Sequence, residues 1–219
     1  MEYPPEFFSC ALCPRLKLWR EQVAQDKRKA YQDEVYWGKP VPGFGAPDAH
    51  ILLMGLAPGA HGSNRTGRMF TGDASGNFLY PALFRVGLSN QPHSVHKNDG
   101  LELFDVFISG VARCVPPDNK PTPEELRTCQ TWLKFDLDRL QNRKVTVALG
   151  TIGHEYFLRA LGLKPSIYPF KHGAEHALPD GTFLLDSYHV SQQNTATGRL
   201  TAEMFDAVLE RAKVLARGQ

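Results

Sequence analysis

The sequence predicts an α/β fold with three layers, α/β/α, around a central, mainly parallel sheet of four strands. Three observations carry this. Four short apolar runs, rich in branched or aromatic residues and without clean alternation, suit strands buried on both faces. Segments with helical periodicity lie between them. The chemically unusual residues follow directly after each run, where open α/β sheets place their ligand sites.

The elements follow in order. Pro14 to about Tyr36 reads as a charge-rich helix, and the Gly- and Pro-rich stretch 38–47 as the arm into the first strand. Residues 1–47 are thus expected to be an N-terminal arm on one domain spanning 1–219. The first strand is His50–Met54. A helix should run from Asp73 toward Val86, with Pro81 threatening its continuity. The second strand is Val106–Ser109. Thr122 then opens the best helix, to about Leu140: Pro123 sits at its first position and Glu125 completes a capping box. Leu126, Cys129, Leu133, Leu137 and Leu140 share one face, so Cys129 should point inward. Val145–Leu149 is the third strand and Gly153–Leu161 a helix. Phe183–Leu185 is the fourth strand, followed by a helix from Thr201 to about Ala216 with Phe205, Val208, Ala212 and Leu215 inward.

Composition narrows the function classes. A chain of 219 residues with 42% hydrophobic content can bury a real core. The net charge of +2 excludes a strongly basic coat, so any positive potential toward nucleic acid must be local. No apolar run approaches the ~20 residues of a membrane helix. The N-terminus lacks the apolar segment of a signal peptide, so a cytoplasmic protein is the expectation.

The four cysteines form a Cys10-x2-Cys13 pair and, 100 residues later, a Cys114-x14-Cys129 pair. A secreted disulfide framework does not suit so few cysteines in so long a chain. Two readings stay open: four unrelated buried thiols, or one four-thiolate metal centre. Spacing does not separate zinc from iron–sulfur.

Each strand-end loop has its own content. Gly55–Gly76 holds six glycines in 22 residues, together with His61, Asn64, Arg65, Arg68 and Asp73. Its glycines let backbone approach an anion or a planar ligand. It matches neither a Walker A loop nor a dinucleotide fingerprint. Asp73 reads either as an acid aimed at a ligand or as the cap of the next helix. Gly110–Asn119 places Cys114 beside Arg113, and Cys114 and Cys129 flank one short connection. Asn119 reads as a turn residue on sequence alone. In Gly150–His154, the histidine reads as a structural group at a helix start. In His189–Arg199, a histidine at a strand's carboxyl end precedes a polar stretch opening onto a helix.

Together these residues resemble the uracil-DNA glycosylase superfamily, in its iron–sulfur branches. Gly55-Leu-Ala-Pro-Gly59 matches the family's first motif. His189-Val-Ser191 stands where the second usually reads His-Pro-Ser. The four cysteines match the cluster ligands. Leu56 and Ala57 replace the Glu, or Gln-Asp pair, of many relatives, and Gly110 replaces an Asn of the neighbouring branch. Met69 stands where that branch commonly has Pro. This combination resembles the type-b (family 5) enzymes.

The resemblance implies hydrolysis of the N-glycosidic bond of uracil and other deaminated or damaged bases in double- or single-stranded DNA, leaving an abasic site. It implies a structural 4Fe-4S cluster on Cys10, Cys13, Cys114 and Cys129. His189 would stabilise charge on the departing base, and Asp73 is the candidate for ordering water. Gly55, Leu56, Ala57 and Gly59 would line the base pocket, with Phe70 stacking on the base and Asn119 bonding its edge. Arg65, Arg68 and Arg199 would meet phosphates, while Ser191, Gln192, Gln193 and Asn194 belong to the intercalating loop. A monomer with no membrane partner is expected. The alternative is an iron–sulfur redox or nucleic-acid-binding protein without glycosylase activity.

Overall fold

A computed structural model describes residues 2–218. Its centre is a sheet of six strands rather than four. The expected runs form β2 (Ile51–Gly55), β3 (Val106–Gly110), β4 (Val145–Leu149) and β6 (Phe183–Ser187), all parallel; β1 (Phe44–Gly45) and β5 (Glu175–Ala177) add antiparallel edges. The spatial order is β1-β3-β2-β4-β6-β5. The two extra strands are two and three residues long and half-exposed or exposed, too short to leave a periodic pattern.

Among the described residues eight α-helices complete the fold: α1 (Pro5–Phe8), α2 (Pro14–Asp26), α3 (Ser63–Thr66), α4 (Gly76–Arg85), α5 (Pro123–Leu137), α6 (Thr151–Ala160), α7 (Gln192–Ala196) and α8 (Ala202–Ala216). Period-2 alternation along the inner strands divides the core. Ile51, Leu53, Val106, Ile108, Val145 and Val147 face α4 and α8, meeting Leu79, Leu83, Phe205 and Leu209. Leu52, Met54, Phe107 and Ala148 face α5 and α6, meeting Leu126, Leu133, Phe157 and Leu158. These are the three layers.

The capping box on α5 is complete: Thr122 Oγ1 accepts from the Glu125 amide, and the Glu125 carboxylate accepts from the Thr122 amide. Pro81 lies inside α4, yet the helix continues to Arg85. α2 is shorter than its charge pattern predicts. Lys27 takes a φ of +50°, which stops the helix at Asp26, and a 3-10 turn at Lys29–Tyr31 follows. The arm is fastened to α5 by aromatic packing: the Phe7 ring lies 5.0 Å from that of Trp132, and Tyr3 lies 5.1 Å from Phe135. The Tyr3 hydroxyl donates to buried Asp136 at 2.5 Å. No helix among the described residues is long and apolar enough to cross a membrane.

Candidate active site

The carboxyl ends of β2, β3, β4 and β6 stand side by side, with Gly55 in register with Gly110 and Leu149 with Ser187. The chain beyond each end is the stretch singled out in the sequence. The loop after β2 folds back so that the Phe70 ring lies directly against Gly55. A Cβ on Gly55 would sit 2.7 Å from the ring, so only glycine fits. Phe70 itself has a φ of +52°, a left-handed conformation that costs a bulky residue energy and that the surrounding packing must hold. Leu56 and Ala57, beside it, are half-buried.

His189, two residues beyond β6, brings its ring to 6.4 Å from that of Phe70, inclined at 39°. Burial pushes its pKa down to about 4, so the imidazole is neutral at neutral pH and carries one N–H donor. Its backbone is fixed from the following helix. The Asn194 amide donates to the His189 carbonyl at 2.8 Å, and the Ser191 hydroxyl caps α7 by accepting from the Asn194 amide N–H at 3.4 Å. Gly150 leaves room for the His189 side chain, whose Cβ would lie 3.2 Å from a Cβ at that position.

Asp73 has two faces. One carboxylate oxygen accepts the Gly76 amide at 3.0 Å, which caps the start of α4. The other lies against Gly59 and Gly62; at Gly62 a Cβ would overlap it. Burial raises the carboxyl above its ordinary range, against the backbone N–H groups of Gly76 and Ser75 and the charge of Arg65. The capping reading of the sequence therefore describes one oxygen, and the other is turned to the glycine-rich loop.

Arg65 and Arg68 do not point outward. The Arg65 guanidinium donates to the His61 carbonyl at 2.7 Å, to Glu34 at 2.5 Å and to the Gly72 carbonyl at 3.1 Å. Arg68 is 4% exposed and donates to Thr71, Ser94 and Asp99, at 2.9, 2.7 and 2.7 Å. Both hold the loop in shape, so the expected phosphate contacts find no free guanidinium in either. Arg199 is exposed and stacks its guanidinium 4.6 Å over the Tyr188 ring. Gln192 and Gln193 are exposed on α7. Asn119 is exposed in the turn Pro117–Asn119 with a φ of +56°, and among the described residues its side chain makes no hydrogen bond. His154 is structural: its two ring nitrogens face Asp186 and the Tyr168 carbonyl, each at 2.7 Å.

The four cysteines converge. Cys10 and Cys13, ahead of α2, and Cys114 and Cys129, around the start of α5, line one pocket with Arg20, Arg113 and Trp132; none is in a disulfide. The residues fit an anionic metal centre. Arg20 donates to Cys114 Sγ at 2.9 Å, and the Trp132 indole donates to Cys10 Sγ at 3.4 Å. Arg20 Nε and Arg113 Nε and Nη1 are buried without a protein acceptor among the described residues. Burial pushes the Cys13 thiol up to about 11 and the Cys129 thiol up to about 12, so these sulfurs ionise only against positive charge, which a bound metal would supply.

The sequence alone misses the supports of this site. Arg20, Tyr3 and the buried Arg113–Asp136 ion pair are legible only once the arm is seen packed on α5. The α7 cap had a local signal, the N-cap serine Ser191, that would have placed the start of that helix.

A family model described as the uracil DNA glycosylase superfamily matches residues 42–213. The type-5 uracil-DNA glycosylase of Thermus thermophilus is 59% identical over 208 residues, covering 95% of this chain and 94% of that protein. The type-5 uracil-DNA glycosylase of Mycobacterium tuberculosis is 49% identical over 209 residues, covering 94% and 78%. A type-4 uracil-DNA glycosylase of Pyrobaculum aerophilum is 33% identical over 128 residues, covering 58% of this chain and 57% of that protein.

Proposed function

The chain belongs to the uracil DNA glycosylase superfamily, and we propose on that premise that it hydrolyses the N-glycosidic bond of uracil and of other deaminated or damaged bases in DNA. The observation that carries this reading is the approach of Phe70, packed on Gly55, and His189, packed on Gly150, to 6.4 Å of one another at the carboxyl ends of the sheet.

A base inside a duplex is out of reach of such a pocket, so the target nucleotide must be flipped out, at a cost of a few kcal/mol. The Phe70 ring offers the flipped base a flat apolar surface, held beside the strand ends by Gly55. Bond cleavage leaves an oxocarbenium-like sugar and, from uracil, an anion with charge on O2. The neutral His189 ring donates a hydrogen bond to that charge as it forms. Asp73, turned to the Gly59–Gly62 turn, orders the attacking water or the base. Asn119, exposed in the β3–α5 connection, bonds the base edge on this reading. The loop Ser191–Arg199, with Gln192, Gln193 and Arg199 exposed, fills the gap left in the stack and meets phosphate. With Leu56 and Ala57 in the first motif the pocket discriminates little by polar contacts, which favours several damaged bases over uracil alone.

The thiols of Cys10, Cys13, Cys114 and Cys129 would hold a structural 4Fe-4S cluster on this reading. When bound, the cluster supplies a cross-link between the N-terminal arm and the β3–α5 connection. No lysine lies in the strand-end loops to form a Schiff base, so the product is an intact strand with an abasic site. The protein acts as a monomer on single- or double-stranded DNA.

The test is release of free base from oligonucleotides carrying uracil, hypoxanthine or xanthine, single-stranded and in duplex. Free base with an alkali-labile, unnicked strand is expected. No release from any of them, or a covalent adduct trapped by borohydride, contradicts the reading.

A further inference from the structure

Arg20 lies on α2, outside every strand-end loop, and is 3% exposed. Its guanidinium makes two contacts with the cysteine pocket. One Nη donates to Cys114 Sγ at 2.9 Å and the other to the Cys10 carbonyl at 3.0 Å. It thus joins the N-terminal cysteine pair to the remote pair. Its Nε is buried without a protein acceptor among the described residues. The nearest carboxylate, Glu21, is 3.9 Å away with a side chain 40% exposed. Arg113, the other buried cation of the pocket, is neutralised by the fully buried Asp136. Arg20 is therefore the buried charge with the least compensation from the protein. Such a charge is costly unless an anion sits beside it, and four cysteine thiolates around a cluster are that anion.

We propose that Arg20 ties the two cysteine pairs together and sets the electronic state of the bound cluster. By donating to a ligand sulfur it withdraws electron density and offsets negative charge, which keeps the reduction potential more positive than the thiolates alone would leave it. The proposal rests on the iron–sulfur reading above. Trp132, donating to Cys10 Sγ at 3.4 Å, is a weaker neutral contributor of the same kind.

The test uses the full chain purified anaerobically, as wild type and as Arg20→Lys, Arg20→Gln and Arg20→Met. Iron and sulfide are measured first, then the midpoint potential by film voltammetry and the iron retained after exposure to air. Potential and retention should both fall in the order wild type, Lys, Gln, Met. If the Met variant holds no iron, Lys against Gln decides: Lys closer to wild type supports the proposal, and equal values overturn it. Wild-type potential and retention in both the Gln and the Met variants also overturn it, while leaving the iron–sulfur reading intact. Zinc without iron in the wild-type protein removes the iron–sulfur reading and this proposal with it.

Discussion

The side-chain amide of Asn194 donates to the backbone carbonyl of His189 at 2.8 Å. This bond joins the loop expected to enter DNA to the residue expected to act on the base. Asn194→Ala should leave the fold intact but loosen His189. A neutral hydrogen bond is worth about 1 kcal/mol net, so the single-turnover rate on uracil should fall roughly fivefold. Single-turnover assays at saturating enzyme check this, since a defect in DNA binding alone would vanish there.

Asp73 can be divided by substitution. Asn keeps an oxygen for the Gly76 amide while removing the charge; Ala removes both. Asp73→Ala should lose about 1 kcal/mol of stability, and Asp73→Asn should melt near wild type. If the second oxygen orders water or base, Asp73→Asn still slows cleavage, to a degree that differs between uracil and hypoxanthine. Thermal melting beside rates on both bases reads the two roles separately.

The arginines should behave oppositely. Removing Arg68 leaves Asp99 half-buried with only its backbone donors, the Val95, His96 and Leu101 amides, and should cost about 1.5–3 kcal/mol of stability. Arg199→Ala should leave melting unchanged and lower the slope of log K against log salt by about 1. A salt titration of DNA affinity, with melting curves, separates a loop brace from a phosphate contact.

The pKa of His189 near 4 has two consequences. Because its folded value lies below the unfolded value of about 6.5, the unfolded chain binds more protons between them. Stability contributed by His189 is present above about pH 6.5 and is lost as pH falls toward 4. The His189 imidazole is neutral from pH 6 to 8, so if it is the donor to the departing base the single-turnover rate should not decline as pH rises through 6.5. A tenfold loss per unit above that point would mean that the imidazolium is the active form.

The sequence was most legible where chemistry and periodicity coincide. The four inner strands and the capped helix α5 follow from runs and caps that need no partner to be recognised. The edge strands β1 and β5 exist only because a long neighbour accepts their few hydrogen bonds. His189 and the four cysteines stood out by type and position, whereas Phe70 came only from the family resemblance. Arg65 and Arg68 looked like phosphate ligands because sequence gives charge without direction; the fold turned both inward onto Glu34 and Asp99. Arg20 was invisible for the converse reason. It sits in a charged helix, and only the packing of the arm brings it to Cys114.

The central claim is that His189 stabilises charge on the departing base. Loss of one such donor commonly costs about 2.7–4 kcal/mol, or about 10²–10³ in rate. The most direct measurement is the single-turnover cleavage of a uracil-containing duplex by wild type and His189→Ala, with DNA affinity measured alongside. The account predicts a fall of about 10²–10³ in rate with affinity little changed. Cleavage at the wild-type rate would make His189 a structural residue and move the chemistry to the Gly55–Gly76 loop.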